Sequence, residues 1–178
     1  MINLAALTAG RGPGVQALRP RITGLLLAVA LFLTGCSGSP PQAVGPLGND
    51  LRPCPGTPNC VHTGRGNPPE APDFPLAAEW QGGGSVDEIL DQVEVALTSL
   101  PRTQVVDRRA NYLRAEATSR IFRFVDDVEV LVPPGEERLV VRSASRMGRS
   151  DLGVNLNRVR ELHETLTESG LITTPPNP

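Results

Sequence analysis

Four strand-like segments follow one another between residues 103 and 145, joined by links too short to carry a crossover. Nothing else limits the fold as tightly. Parallel pairing needs a dozen or more connecting residues, whereas residues 108–111 and 133–137 are short and turn-like, so the segments are expected to form an antiparallel meander. Residues 103–107 carry Val105 and Val106. In 112–119, Leu113, Ala115 and Ala117 alternate with Arg114, Glu116 and Thr118. In 122–132, Phe122, Phe124, Val128, Val130 and Val132 fall on one face, and in 138–145 Leu139, Val141, Ser143 and Ser145 do the same. Setting Val132 opposite Leu139 predicts Val130 opposite Val141, Val128 opposite Ser143 and Asp126 opposite Ser145. The same register sets Glu129 against Arg142 on the other face, a favourable cross-strand pair.

A helix is predicted on each side of the meander. Ser85 and Glu88 have capping-box spacing, Val86, Ile89, Leu90, Val93, Leu97 and Leu100 line one face, and Pro101 ends the helix. Asp87, Asp91 and Glu94 lie opposite. Gly82, Gly83 and Gly84 precede it without the Lys-Ser/Thr of a phosphate loop. Leu156, Val159, Leu162 and Leu166 recur at helical spacing after Asn155, the expected N-cap, with Gly170 as terminator. The expected fold is α+β: one small domain over residues 53–172, helix, four-stranded antiparallel meander, helix, with both helices on one sheet face. Aromatics make up only 3%, so the core must be mainly aliphatic.

The first 35 residues read as a targeting segment. Arg11, Arg19 and Arg21 precede a short apolar run at 24–33, and Leu33-Thr34-Gly35-Cys36 resembles the lipobox of bacterial lipoproteins. That resemblance implies a diacylated, newly N-terminal Cys36; an ordinary signal peptide is the alternative. Acyl chains contribute about 0.8 kcal/mol per buried CH₂, so two or more anchor stably. Ser37, by analogy with enterobacterial sorting, implies the outer membrane, the domain facing the periplasm. Residues 36–52, rich in Gly, Pro, Ser and Ala, read as a flexible tether, and 173–178 as a disordered tail.

All 17 basic residues are arginine. Removing residues 1–35 leaves fourteen of them against nineteen acids, a charge of about −5, which argues against nucleic-acid binding and against adhesion to anionic lipid by bulk charge. With Cys36 lipidated, Cys54 and Cys60 remain for a disulfide across a turn-prone Pro55–Asn59 link; free thiols and a redox or metal pair are the alternatives. Residues 53–81 should wrap the domain and plug Phe74 and Trp80 into it.

The chemistry-bearing stretch is the strand-to-helix link, with Arg146, Gly148, Arg149, Ser150, Asp151, Gly153 and Asn155. Such a link brings guanidinium groups to a helix N-terminus that favours anions, or builds an internal Arg–carboxylate lock. Asp126, alone among apolar neighbours, would form with Ser143 and Ser145 a polar patch near Arg146 and Arg149. His62 and His163 accompany no nucleophile elbow, and Asp126, Asp127 and Glu129 alternate across a strand and so do not share one ion. No catalytic residue, metal or cofactor follows.

Several motifs occur in an order that resembles an uncharacterised family, domain of unknown function 1499. They are Cys54-Pro55-Gly56-Thr57-Pro58-Asn59-Cys60-Val61, Ala115-Glu116-Ala117-Thr118-Ser119, Phe122 with Asp126-Asp127-Val128-Glu129, Val141-Arg142-Ser143-Ala144-Ser145-Arg146, and Gly148-Arg149-Ser150-Asp151-Leu152-Gly153-Val154-Asn155. The resemblance implies one folded unit over residues 52–167 and carries no mechanism. Three functions are therefore open: a lipid-anchored module binding a partner protein or small anionic ligand through Asp126, Ser143, Ser145, Arg146, Arg149 and Asp151; a periplasmic enzyme with its site at Asp126, Ser145 and Arg146; and a structural spacer.

Overall fold

A computed structural model of the protein describes residues 44–64, 70–81 and 83–173. The expected signal segment 1–35, Cys36, the first part of the tether, Gly82 and residues 174–178 lie outside them. The architecture is α+β. In chain order the elements are β1 (Pro46–Leu47), β2 (Asp50–Leu51), β3 (Cys60–His62), α1 (Val86–Ser99), β4 (Thr103–Arg109), β5 (Tyr112–Thr118), β6 (Val125–Leu131), β7 (Val140–Ser145) and α2 (Val154–Glu168).

The predicted meander is present as β4 to β7, but the main sheet has five strands, ordered β3-β7-β6-β5-β4, and strands precede the first helix. The added edge strand pairs antiparallel with β7, Cys60 facing Ala144 and His62 facing Arg142. Three residues after a proline-rich turn carry no readable periodicity, so pairing that depends on a distant partner left no local mark. β1 and β2 form a separate two-stranded hairpin. This corrects the tether: its residues 44–52 are structured, carrying the β1–β2 hairpin with Leu51 buried, and only residues 36–43 of the expected linker remain outside the description. Thr173, assigned to the tail, still donates its N–H to Pro75 O at 3.0 Å.

The predicted β6–β7 register holds, with Asp126 opposite Ser145, Val128 opposite Ser143, Glu129 opposite Arg142 and Val130 opposite Val141. β6 is shorter than expected. Arg123 has φ 57°, which breaks the alternation, and Ser119 closes the link by accepting from Phe124 N and donating its own N–H to Phe124 O. Phe122 and Phe124 are consequently exposed and stacked at 5.6 Å between centroids, not set in the core.

One face of the sheet, with Leu113, Ala115, Val128, Val130 and Val141, shares a single apolar cluster with Leu90, Val93 and Leu97 of α1 and Val159, Leu162 and Leu166 of α2. Each of these larger side chains, fully buried, contributes about 1.5–3 kcal/mol. The capping box of α1 is complete, Glu88 N donating to Ser85 Oγ and Ser85 N to Glu88 Oε2. Arg108 from β4 pairs with Asp87, Asp91 and Glu94 on the solvent side of that helix. Phe74 is buried as expected, and Trp80 packs half-buried against the core. A Cβ at Gly84 would stand 2.5 Å from Trp80 Cε3, which explains one glycine of the triplet.

The opposite face is ionic. Glu129 accepts from Arg142 Nη1 at 2.6 Å, Tyr112 Oη at 2.8 Å and Gly45 N at 2.6 Å. Burial, and then the Glu129 carboxylate, push the Tyr112 phenol well above its ordinary range, so it stays a donor. His62 Nδ1 accepts from Gly64 N, leaving its proton on Nε2 to meet Leu51 O at 3.2 Å. Leu51, Tyr112, Leu131 and Val140 form a small second core under the hairpin. Buried ion pairs roughly break even against desolvation, so net stability comes from the aliphatic face.

His163 stands edge-on to Phe74 at 5.2 Å, and burial lowers its proton affinity. The unfolded chain therefore takes up this proton at a higher pH than the folded one. Unfolding free energy, followed by urea titration, should be undiminished by this group above about pH 6.5 and fall as the pH drops below it. His163→Gln should remove that part of the pH dependence.

Candidate functional site

The core face of β6 and β7 ends in polar residues, and the start of α2 lies over them. Arg158 Nη2 donates to Asp126 Oδ2 at 2.8 Å, while Nη1 donates to Asn155 Oδ1 at 2.6 Å and Ser143 Oγ at 3.0 Å. Ser143 Oγ donates in turn to Asn155 Oδ1 at 2.6 Å. Asn155 Nδ2 has Asn59 O, Ser145 Oγ and Asp151 Oδ2 within 3.0 Å. One asparagine thus ties the β3 edge, β7 and the strand-to-helix link together.

Asn155 is not the cap. The N-cap is Gly153 at φ 83°, which has no side chain, and Asp151 does the capping by accepting from Asn155 N at 2.7 Å and Gly153 N at 3.1 Å. This satisfies helix N–H groups that an anion would otherwise use. Cys54 and Cys60 form the disulfide. It holds the turn carrying Asn59, whose Nδ2 donates to Gly148 O at 3.0 Å and whose carbonyl accepts from Ser145 N at 3.0 Å.

The predicted site therefore divides. Asp126, Ser143, Ser145 and Asp151 converge, but on Arg158 and Asn155. Arg146 does not join them. It follows Ser145 by one residue, so the pleat sends it to the opposite face. There it grips Asp127 through Nε and Nη2 at 2.8 and 2.9 Å and also pairs with Glu116. Arg114 completes this cluster at 2.8 Å from Asp127. Hydrogen bonding to Asp127 raises the proton affinity of Arg146 further, and the group stays a cation at any working pH. Arg149 is exposed and makes no ion pair among the described residues. The trio Asp126, Ser145 and Arg146 is thus not assembled. Arg158 was missed because on sequence it is one of several polar residues on the outer side of a helix; its place three residues after Asn155 was the available sign.

Beside this network opens a cleft of about 330 Å³. Ser119, Phe124 and Val125 form one wall, Met147, Gly148 and Val154 the other, and Asp126, Ser145 and Asp151 border it. The walls are joined where Arg146 N donates to Val125 O. Its apolar side chains were read from the sequence as core or left unassigned. No group of three or more His, Cys, Asp or Glu residues able to hold a metal occurs among the described residues, and no helix there is long and apolar enough to cross a membrane.

Arg158→Met should leave the Asp126 carboxylate stranded and cost about 3 kcal/mol in denaturant unfolding. Adding Asp126→Asn should recover much of that loss. Losses that simply add would show that the pair is not coupled.

No curated protein matches the chain. A family model described as a protein of unknown function, DUF1499, matches residues 50–166, from β2 nearly to the end of α2, and so spans every residue of the network and the cleft. Well over half of the chain is covered, and the chain belongs to the DUF1499 family.

Proposed function

We propose that this is a lipid-anchored cell-envelope protein, attached through Cys36 to the periplasmic face of the outer membrane, whose domain is a binding module. Its binding face is the cleft between residues 119–125 and 147–154, and its ligand is an apolar group that carries an anionic one. The observation behind this reading is the division of labour around the cleft. The walls are apolar, while the charged groups beneath are already matched, Asp126 by Arg158 and Asp151 by the helix N–H groups. Such a cavity supplies contact area and shape, with Arg149 on the same link as the available cation.

An enzyme at this place would need an activated group. Ser145 Oγ is held by Asn155, His62 is engaged with Leu51 and Gly64, and His163 packs against Phe74. None of these pairs a nucleophile with a base.

Anilinonaphthalene sulfonate, apolar rings bearing one anion, should bind the full chain with a saturable fluorescence rise. Met147→Asp and Val154→Asp alter exposed side chains and should leave thermal unfolding within a few degrees of wild type. Each should abolish the saturable component. A rise indifferent to both substitutions would rule this binding face out.

A further inference from the structure

Ten large apolar side chains are exposed among the described residues, and six of them frame the cleft, Ile121, Phe122, Phe124, Met147 and Leu152 on its two links and Val154 at the start of α2. None belongs to either core cluster. Leu152 is 94% exposed and holds φ 56°, a backbone region costly for a residue with a Cβ. The fold gains no packing from it. Ile121, 79% exposed, crowns the other link.

The same links depart from the charge of the chain. Residues 119–124 and 146–153 hold four arginines and one acid, Asp151, in a protein whose acids outnumber its bases. Arg146 is spent on Asp127, while Arg120, Arg123 and Arg149 are exposed. The acids nearest the cleft, Asp126 and Asp151, are held by Arg158 and by backbone N–H groups.

We infer that these two links form a docking surface for an anionic phospholipid bilayer, Ile121, Phe122 and Leu152 entering the headgroup–acyl boundary while Arg120, Arg123 and Arg149 meet lipid phosphates. This rests on the reading of the cleft as the binding face, and names its partner. Two separated loop tips projecting aliphatic groups suit a deformable apolar medium, and an arginine rim suits its anionic headgroups. Bulk charge opposes the approach and the local distribution reverses it. Seven residues separate Cys36 from Val44, a length spanning at most about 30 Å, so anchoring at Cys36 holds the domain within reach of a membrane surface.

The test uses the full chain on vesicles. With Cys54 and Cys60 joined and the Cys36 sulfur taken by the lipid of the proposed anchor, Leu152→Cys offers the one free thiol for an environment-sensitive fluorophore; Ile121→Cys is a second reporter and the exposed Val95→Cys on α1 the reference. On vesicles containing phosphatidylglycerol, the labels at 152 and 121 should shift to the blue and escape an aqueous quencher, while the label at 95 stays quenched. Pure phosphatidylcholine should give little effect. Arg120→Glu, Arg123→Glu and Arg149→Glu together should remove the shielding, each arginine being worth about fivefold in partition.

Labels at 152 and 121 as quenchable as that at 95 on anionic vesicles would overturn the inference, as would shielding that ignores the arginines or arises only when envelope proteins are added. If anilinonaphthalene sulfonate binding persists in that case, the cleft remains a binding face with another partner. If it too is insensitive to Met147→Asp, both readings fall.

Discussion

Three carboxylates, Asp126, Asp127 and Glu129, sit within four residues of a strand at the middle of the sheet, all buried. A carboxylate taken out of water costs several kcal/mol unless it is paired and hydrogen-bonded, so the surrounding structure is bound to answer each. It does so from different directions. Arg158 comes from the last helix to Asp126, Arg114 from the flanking strand β5 and Arg146 from the link just after β7 to Asp127, and Arg142, Tyr112 and the backbone of Gly45 to Glu129. The choice of helix placement, strand register and N-terminal hairpin is tied to that one strand. Aliphatic burial supplies the driving force, and each buried carboxylate requires a partner at its own place in the fold.

Much of this was legible in the chain. Short links and period-two alternation gave the antiparallel order, and pairing Val132 with Leu139 gave the correct register through Asp126 and Ser145. The capping box at Ser85 and the end of the helix before Pro101 were readable because their signals are local. What failed depended on distance or on a single backbone angle. The β3 strand exists because β7 has a free edge, which three residues cannot announce. Phe122 and Phe124 follow the alternation on paper, and the positive φ at Arg123 turns them out of the core. Arg146 was assigned to the right link and the wrong face, although the alternation that placed Ser145 on the core side already implied the opposite side for its neighbour.

The candidate site shows the same division. Asp126, Ser143 and Ser145 interrupt an apolar strand face and Asp151 lies on the polar link that follows, and the four do converge. Polar residues on an apolar face stand out in a sequence, whereas the distinguishing walls of the cleft, Phe124, Met147 and Val154, do not. Exposed apolar residues in links carry no periodic signature, because nothing in the sequence says that the fold leaves them outside. Only the three-dimensional arrangement separates them from core residues of the same type.

The distance along the chain between partners has a consequence for the order of assembly. Asn155 and Asn59 are ninety-six residues apart, and Arg158 stands thirty-two residues beyond Asp126. A chain emerging N-terminus first presents α1 and the whole meander before α2 is available, so α1 can cover its share of the core face while the Asp126 carboxylate is still wet and the aliphatic residues under α2 are still bare. The last helix brings the rest of the apolar cover and the counter-charge together. Until then part of the core face is open, the kind of apolar surface through which an incomplete chain is exposed to aggregation.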